Sequence, residues 1–300
     1  MSANLALEAY YGQNPVFSNS TILESDKSCL LIDSQLLSVD GKAIADRIKE
    51  IGKPLTTILL SHWHPDHCWG AVEVLKHFPE AKVFARPRVK EDLLYDFAPR
   101  RYRWYGYFPG MPDSLYPVND LEGDAFDFDG HKIELVDLFG AETLHATGYY
   151  VPELKTYISG DQIYNGGHYY VTAGLNRPDL WIDSIKKVTD EHDIERLVPG
   201  HGLVTMNPGE VFNSAIEYLN YYQEIFNFEL PPKELVRLLL ERYPDLGMDG
   251  VLYLTIGPAI TDKELYAQTG GKPNFGEGAF GPGADSGGKS CSKSHYRVEG

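Results

Sequence analysis

The stretch Ser61-His62-Trp63-His64-Pro65-Asp66-His67 is the most informative part of this 300-residue chain. It follows a continuous apolar run from Leu55 to Leu60, which is typical of a buried strand. A helical pattern from Gly70 to Phe78 comes next. The sequence therefore predicts a loop rich in histidine and aspartate, held between a strand and a helix.

The spacing within this loop favours metal binding. His62 and His64 are two residues apart, so both side chains can point the same way, while Asp66 and His67 can point at a second position. Imidazole nitrogens together with a carboxylate are the ligands that a borderline-soft ion such as zinc prefers. The alternative is a polar loop that satisfies its own hydrogen bonds and binds no metal.

Three later motifs strengthen the metal hypothesis. They are His145-Ala146-Thr147-Gly148, Ser159-Gly160-Asp161 and Pro199-Gly200-His201-Gly202, and each places one metal-type ligand at or just after a strand end. A neighbouring glycine permits close backbone approach at each of them. In this order the motifs resemble the metallo-β-lactamase superfamily, over roughly residues 16 to 205.

The resemblance implies an α/β fold, a four-layer αβ/βα sandwich, with a dinuclear zinc site on one edge of its two sheets. The ligands that the resemblance implies for the first metal are His62, His64 and His145. Those for the second metal are Asp66, His67 and His201, and Asp161 would bridge the two metals. The sequence departs from the family pattern at Leu144, which replaces a usual glycine.

The net charge of the implied ligands favours a catalytic metal site over a site that only holds metal. Two carboxylates and five neutral imidazoles would leave about two positive charges on a pair of divalent ions, which favours a bridging hydroxide because coordination lowers the pKa of water from 15.7 to roughly 7. The predicted function is a dinuclear zinc hydrolase that opens a cyclic ester or cyclic amide, a lactone or a lactam. The catalytic candidates are Asp66, Asp161 and Tyr164. A purely structural zinc site is the alternative.

Other residues bear on the substrate. Tyr164 lies three residues after Asp161, and in lactone-opening members of the family a tyrosine at this spacing hydrogen-bonds the substrate carbonyl. His168, Trp63 and Trp104 are candidates for the pocket lining. The stretch from 95 to 116, where aromatic residues alternate with arginines, is expected to be either a pocket wall or a packing surface.

Other reactions remain open on the same fold. Thioester hydrolysis is chemically close to lactone hydrolysis. A mononuclear iron persulfide dioxygenase would need one ligand set and would leave Asp66 and His67 spare. RNA processing would need a basic substrate arm, which an acidic chain does not supply.

The composition of the chain indicates which binding partners and which cellular compartment to expect. The chain carries 27 Lys and Arg against 43 Asp and Glu, a net charge of −16, so we expect a small-molecule substrate and no nucleic-acid partner. Three widely spaced cysteines, no spanning apolar run and no signal-peptide pattern favour a cytoplasmic protein without membrane association. A homodimer is compatible with the sequence.

The chain is expected to form one domain. Residues 1–268 are predicted to fold as a single unit with C-terminal helices, because strand, polar loop and helix recur in both halves. Residues 269–300 are rich in glycine and are predicted to be a tail with no core of its own.

Overall fold

The computed structural model describes residues 4–12, 17–104, 110–171, 177–226, 230–261 and 295–299. Its strands are β1 (Ala6–Tyr11), β2 (Asn19–Glu24), β3 (Cys29–Ile32), β4 (Leu55–Leu59), β5 (Lys82–Ala85), β6 (Val118–Asp120), β7 (Ala125–Phe128), β8 (His131–Phe139), β9 (His145–Val151), β10 (Thr156–Ile158), β11 (Tyr164–Asn165), β12 (Arg196–Val198), β13 (His201–Gly202) and β14 (His295–Glu299). Its α-helices are α1 (Ser38–Ile51), α2 (Pro65–Cys68), α3 (Ala71–His77), α4 (Pro87–Trp104), α5 (Pro178–Glu191), α6 (Pro208–Ile225), α7 (Pro232–Arg242) and α8 (Asp249–Thr261).

Two large sheets organise these elements. The first has the strand order β14-β1-β2-β3-β4-β5-β6, antiparallel from β1 to β3 and parallel from β3 to β6. The second has the order β12-β10-β9-β8-β7. The short strands β11 and β13 form a separate parallel pair, which places Tyr164 beside His201.

Strands buried on both faces produce the layers. In β3, Leu31 packs in a cluster with α1 and α3, while Leu30 and Ile32 pack in a second cluster with residues of the other sheet. Successive strand residues point to opposite faces, so one apolar run serves two cores. A third cluster joins the second sheet to α5, α6, α7 and α8. The result is the four-layer αβ/βα sandwich that the resemblance implied, and this prediction is confirmed.

Glycine residues fix the backbone at the end of one helix and in one hairpin. The helix around Ile44 and Ile48 ends at Gly52, whose φ of 79° is the left-handed conformation that glycine adopts most readily. The Asp129-Gly130 pair turns β7 into β8 with φ values of 57° and 97°, as a type I′ turn requires.

Two parts of the chain differ from expectation or lie outside the described residues. The stretch from residue 95 continues α4 as far as Trp104, while residues 105–109 are not described. Within the predicted tail, residues 269–294 lie outside the described part of the chain, and β14 pairs antiparallel with β1 at the edge of the first sheet. The helices that are described include none long and apolar enough to cross a bilayer.

Candidate metal centre

The candidate ligands come from loops at one end of the strands. His62 and His64 follow β4, Asp161 follows β10, and His201 follows β12 through Pro199 and Gly200. Glycine is required at position 200, because an added Cβ would lie 2.0 Å from Asp161 Oδ1. The sequence around each strand end therefore brings distant side chains into one small volume.

The first ligand group contains His62, His64, Glu142 and Asp161, all buried. His64 Nδ1 lies 3.0 Å from Glu142 Oε1, and His62 Nε2 lies 3.3 Å from Glu142 Oε2 and 3.6 Å from Asp161 Oδ2. The potential ligand atoms lie within 4.8 Å of one another. This spacing is suitable for one metal ion.

The second group contains Asp66, His67 and His201. Asp161 connects it to the first group, since its Oδ1 lies 3.0 Å from His67 Nε2 and its Oδ2 lies 3.0 Å from His201 Nε2. His201 Nε2 also lies 3.6 Å from Asp66 Oδ2. One carboxylate thus faces both groups, which is the arrangement that a bridging ligand needs.

His145 is the one predicted ligand that the structure does not bring to either group. Because Phe139 pairs with His145 in the β8–β9 hairpin, His145 is already part of a strand, and its Nδ1 lies 3.0 Å from Asp92 Oδ2 on α4. Residues 140–144 form the connecting loop, and Glu142 from that loop takes the place predicted for His145. The arrangement therefore has four imidazoles and three carboxylates.

Sequence reasoning missed Glu142. The available signal was an acidic residue three positions before His145, in a segment that already departed from the family pattern at Leu144.

The residues present fit a metal ion. Within the described part of the chain, the buried atoms His62 Nε2, His67 Nε2, Glu142 Oε2 and Asp161 Oδ1 make no hydrogen bond. Buried polar atoms are expensive to leave unpaired, and cations held by the two ligand groups would satisfy all four of these. Histidine and carboxylate ligands favour zinc among the biological divalent ions.

Burial and the charges of neighbouring side chains shift the pKa values of the ligand residues. Burial lowers the pKa of His62 well below its ordinary range. Burial, followed by the negative charge of Asp161, raises the pKa of Glu142 well above its ordinary range. The pKa of Asp161 is lowered, because His201, His67 and His62 together outweigh the opposing effect of its burial. Metal binding would therefore compete with a proton on Glu142.

Asp33 orients the metal loop, and sequence analysis did not single it out. Its Oδ1 accepts a hydrogen bond from the Ser61 backbone N–H at 2.8 Å, and its Oδ2 accepts one from the Ser61 hydroxyl at 2.6 Å. Oδ2 also lies 2.8 Å from His67 Nδ1, which leaves Nε2 directed at the ligand cluster. Such an outer carboxylate fixes the tautomer and orientation of a ligand histidine.

The remaining predicted residues lie at different depths. The Tyr164 hydroxyl donates to Asp161 Oδ2 at 3.1 Å, and its ring contacts His201 at 4.5 Å between centroids. His168 is fully buried, with Nδ1 3.1 Å from the Tyr218 hydroxyl, and burial lowers its pKa to about 4. Trp63 is half-buried beside His64. The Trp104 side chain lies outside the described part of the chain.

Comparison with known proteins identifies the family of this chain. A family model described as the metallo-beta-lactamase superfamily matches residues 14–211. This chain belongs to the metallo-β-lactamase superfamily. Members of this superfamily are mostly metal-dependent hydrolases, and their fold usually binds zinc.

Individual relatives are distant. The hydroxyacylglutathione hydrolase GloC of Haemophilus influenzae is 26% identical over 189 residues, which cover 62% of this chain and 85% of that protein. The atrochrysone carboxyl ACP thioesterase nsrC of Aspergillus novofumigatus is 26% identical over 206 residues, covering 64% of this chain and 53% of that protein. This chain thus aligns with about half of the Aspergillus protein.

Solved structures share the fold at lower sequence identity. A metallo-beta-lactamase from Pontibacter korlensis superposes with a TM-score of 0.56 and 17% identity, over 73% of this chain and 96% of that one.

Proposed function

We propose that this protein is a dinuclear zinc hydrolase that cleaves an activated carboxylic acid derivative, with a thioester as its substrate class. The observation that carries the proposal is the position of Asp161, whose carboxylate lies 3.6 Å from His62 of the first ligand group and 3.0 Å from His67 and His201 of the second. The named activities of the GloC and nsrC relatives support the thioester.

The two ligand groups support two metal ions over one. A mononuclear iron oxygenase would leave Asp66, His67 and His201 without a role, yet the structure gathers them beside the first group. With three carboxylates among the ligands, two divalent ions would keep about one positive charge instead of the two expected from the sequence. A pair of bound divalent ions supplies Lewis acidity toward a substrate carbonyl and lowers the pKa of water.

Side chains of this protein would position the reacting groups and transfer the proton. Hydrolysis of a thioester breaks the acyl C–S bond, adds the oxygen of water to the acyl carbon and returns a proton to the thiol. Asp161 lies at the centre of the cluster and can carry that proton to the leaving group. Tyr164 fixes the Asp161 carboxylate through its 3.1 Å hydrogen bond.

A lactone or lactam is the second candidate substrate, and Tyr164 favours it. Its hydroxyl lies at the edge of the ligand cluster, 3.1 Å from Asp161 Oδ2, and its single O–H could turn from Asp161 to donate to a ring carbonyl instead. Burial and the negative charge of Asp161 raise the pKa of this phenol, so it stays protonated and able to donate at neutral pH.

Metal analysis combined with a substrate panel tests the proposed function. We expect two zinc ions per chain, and hydrolysis of an acyl thioester that stops on chelation and returns when zinc is added. If a lactone or lactam ring is opened faster than any thioester is hydrolysed, the second candidate substrate is the correct one. One iron per chain with no hydrolysis would overturn the proposal.

Replacing Tyr164 by phenylalanine is expected to lower kcat by about tenfold and to leave the fold intact, because an outer hydrogen bond to a metal ligand is lost. The measurement is kcat and KM for the preferred substrate, with metal content determined in parallel. Tyr221→Phe on α6 is the control, since this ring packs at the edge of the core near Tyr243. Unchanged kinetics in the Tyr164 variant would assign this tyrosine to packing alone.

A further inference from the structure

Tyr164, the tyrosine that donates to Asp161, is held in place by a second tyrosine, Tyr169. The Tyr169 hydroxyl donates a hydrogen bond to the Tyr164 backbone carbonyl at 3.0 Å and accepts one from the Tyr164 backbone N–H at 3.2 Å. A phenol hydroxyl is both a donor and an acceptor, so one group pairs both backbone atoms. In an extended residue the N–H and C=O point to the same side, which brings both within reach of one hydroxyl. Tyr169 therefore supplies the pairing that a neighbouring strand would give to this residue of β11.

The Tyr169 ring also restrains the Tyr164 ring. The two rings are stacked, with 4.8 Å between their centroids and an angle of 9° between their planes. The Tyr164 ring contacts the His201 ring as well, at 4.5 Å between centroids. Tyr164 is 3% exposed and Tyr169 is 4% exposed, and a close-packed interior leaves such rings few alternative rotamers. Backbone and ring contacts together therefore fix the place of the Tyr164 hydroxyl.

Tyr169 is itself anchored in the helical layer next to the second sheet. Its ring packs against Trp181 of α5 at 5.5 Å and against Tyr218 of α6 at 5.2 Å between centroids. Trp181 Nε1 in turn donates to the Gln162 backbone carbonyl at 2.8 Å, one residue after Asp161. The segment that carries Asp161 is thus supported by side chains of the core, as a precisely placed site requires.

The support is important because of what Tyr164 contacts. Its hydroxyl donates to Asp161 Oδ2 at 3.1 Å, and the Asp161 carboxylate lies between the two ligand groups. A hydrogen bond weakens steeply when its distance or angle changes, so a small shift of the Tyr164 ring would loosen its hold on Asp161. Tyr169 can therefore influence the ligand cluster through Tyr164.

We propose that Tyr169 is a positioning residue of the candidate active site, which acts on Asp161 through Tyr164. This inference rests on the proposed function, because it gives Tyr164 a part in the reaction. The Tyr169 hydroxyl is engaged by the Tyr164 backbone and its ring is buried, so Tyr169 does not bind the substrate. Its effect on the reaction should exist only while Tyr164 keeps its own hydroxyl.

A double-mutant cycle of Tyr169→Phe and Tyr164→Phe tests this order of action. Each substitution removes one hydroxyl and keeps the ring. We expect Tyr169→Phe alone to lower kcat by about fivefold with KM nearly unchanged, less than Tyr164→Phe, because Tyr169 lies one contact farther from the metal ligands. In the double variant kcat should equal that of Tyr164→Phe, since an effect carried by Tyr164 cannot be lost twice. Losses that multiply, or an unchanged kcat in Tyr169→Phe, would overturn the proposal.

Tyr150→Phe is the matched control for the loss of a buried hydroxyl. Tyr150 is 6% exposed in the same core cluster, and its hydroxyl donates to the Asp193 backbone carbonyl at 2.8 Å. Both single variants are expected to lower the midpoint of thermal unfolding, because each loses a hydrogen bond to the backbone. Only Tyr169→Phe should lower kcat. An equal loss of kcat in Tyr150→Phe would show that general destabilisation is the cause, and the proposal would be wrong.

A second variant covers the case in which Tyr169→Phe does not fold, since that change leaves two buried backbone groups of Tyr164 without their partner. The cycle is then run with para-aminophenylalanine in place of Tyr169, whose amino group keeps a donor and a weak acceptor on the ring. We expect a loss of kcat of about twofold that disappears in the Tyr164→Phe background. The same loss in both backgrounds would contradict the proposal.

Zinc affinity gives a readout that needs no substrate. The apparent dissociation constant for zinc is measured for the four proteins of the cycle by competition with a chromophoric chelator. We expect Tyr169→Phe to weaken zinc binding by about fivefold and to add nothing in the Tyr164→Phe background. If no thioester, lactone or lactam is hydrolysed, the proposed function fails, and this pattern would still support the role of Tyr169. Losses of zinc affinity that multiply would overturn the role of Tyr169 and leave the proposed function standing.

Discussion

Replacing Asp161 by asparagine is expected to reduce turnover by about three orders of magnitude while the protein remains folded. Its carboxylate lies 3.6 Å from His62 of the first ligand group and 3.0 Å from His67 and His201 of the second, so the change removes negative charge from two potential metal positions at once. Loss of about 4 kcal/mol of charge stabilisation corresponds to roughly a thousandfold in rate. The measurement is kcat at saturating zinc, together with metal content and a thermal unfolding curve.

Asp190→Asn is the matched control, because Asp190 lies on the exposed side of α5 and should tolerate the change with wild-type activity. If Asp161→Asn retains near-wild-type turnover with its full metal content, Asp161 does not bridge two metals.

The second large effect concerns Glu142 and His145. The sequence implied His145 as the third ligand of the first metal, whereas the structure places Glu142 in that position. Glu142→Gln is expected to lose about one zinc per chain and to lower turnover by about a hundredfold or more, since removing a ligand costs more than removing an outer partner. His145→Gln should retain both zinc ions, because His145 contacts Asp92 and lies outside both ligand groups. Metal content after gel filtration, measured for both variants, is the deciding quantity.

The opposite pattern would restore the ligand set implied by the sequence. Loss of one zinc in His145→Gln, with full zinc in Glu142→Gln, would show that His145 leaves Asp92 when metal binds. Glu122→Gln is the control for a change of charge on an exposed glutamate.

The sequence was most informative where local chemistry dictates structure. Gly52 ends α1, the Asp129-Gly130 pair turns β7 into β8, and Pro232 begins α7 at its first position. These signals act through φ angles and hydrogen bonds of nearby residues, so they need no knowledge of the rest of the chain. The fold followed from strand, loop and helix motifs in the order of a known family.

Sequence reasoning failed where a partner lies far away in the chain. Glu142 joins His62 and His64 from about 80 positions away, and the local signal, an acidic residue three positions before His145, does not by itself distinguish a ligand from an ordinary loop residue. Asp33 is similar, since its hydrogen bonds to Ser61 and His67 depend on β3 and β4 being neighbours.

The sequence by itself determined the family, the four-layer architecture and a set of histidine and aspartate side chains at strand ends. The order of the motifs along the chain indicates the family, and turn residues act on the backbone next to them, so neither signal requires the tertiary structure. Only the tertiary structure decided which carboxylate completes the first ligand group and which cation lies over Trp63. The register that pairs Phe139 with His145 leaves Glu142 in the loop beside His62. The packing of α4 places Arg100 over Trp63. Both results depend on contacts between elements, and a side-chain pattern along one element cannot specify them.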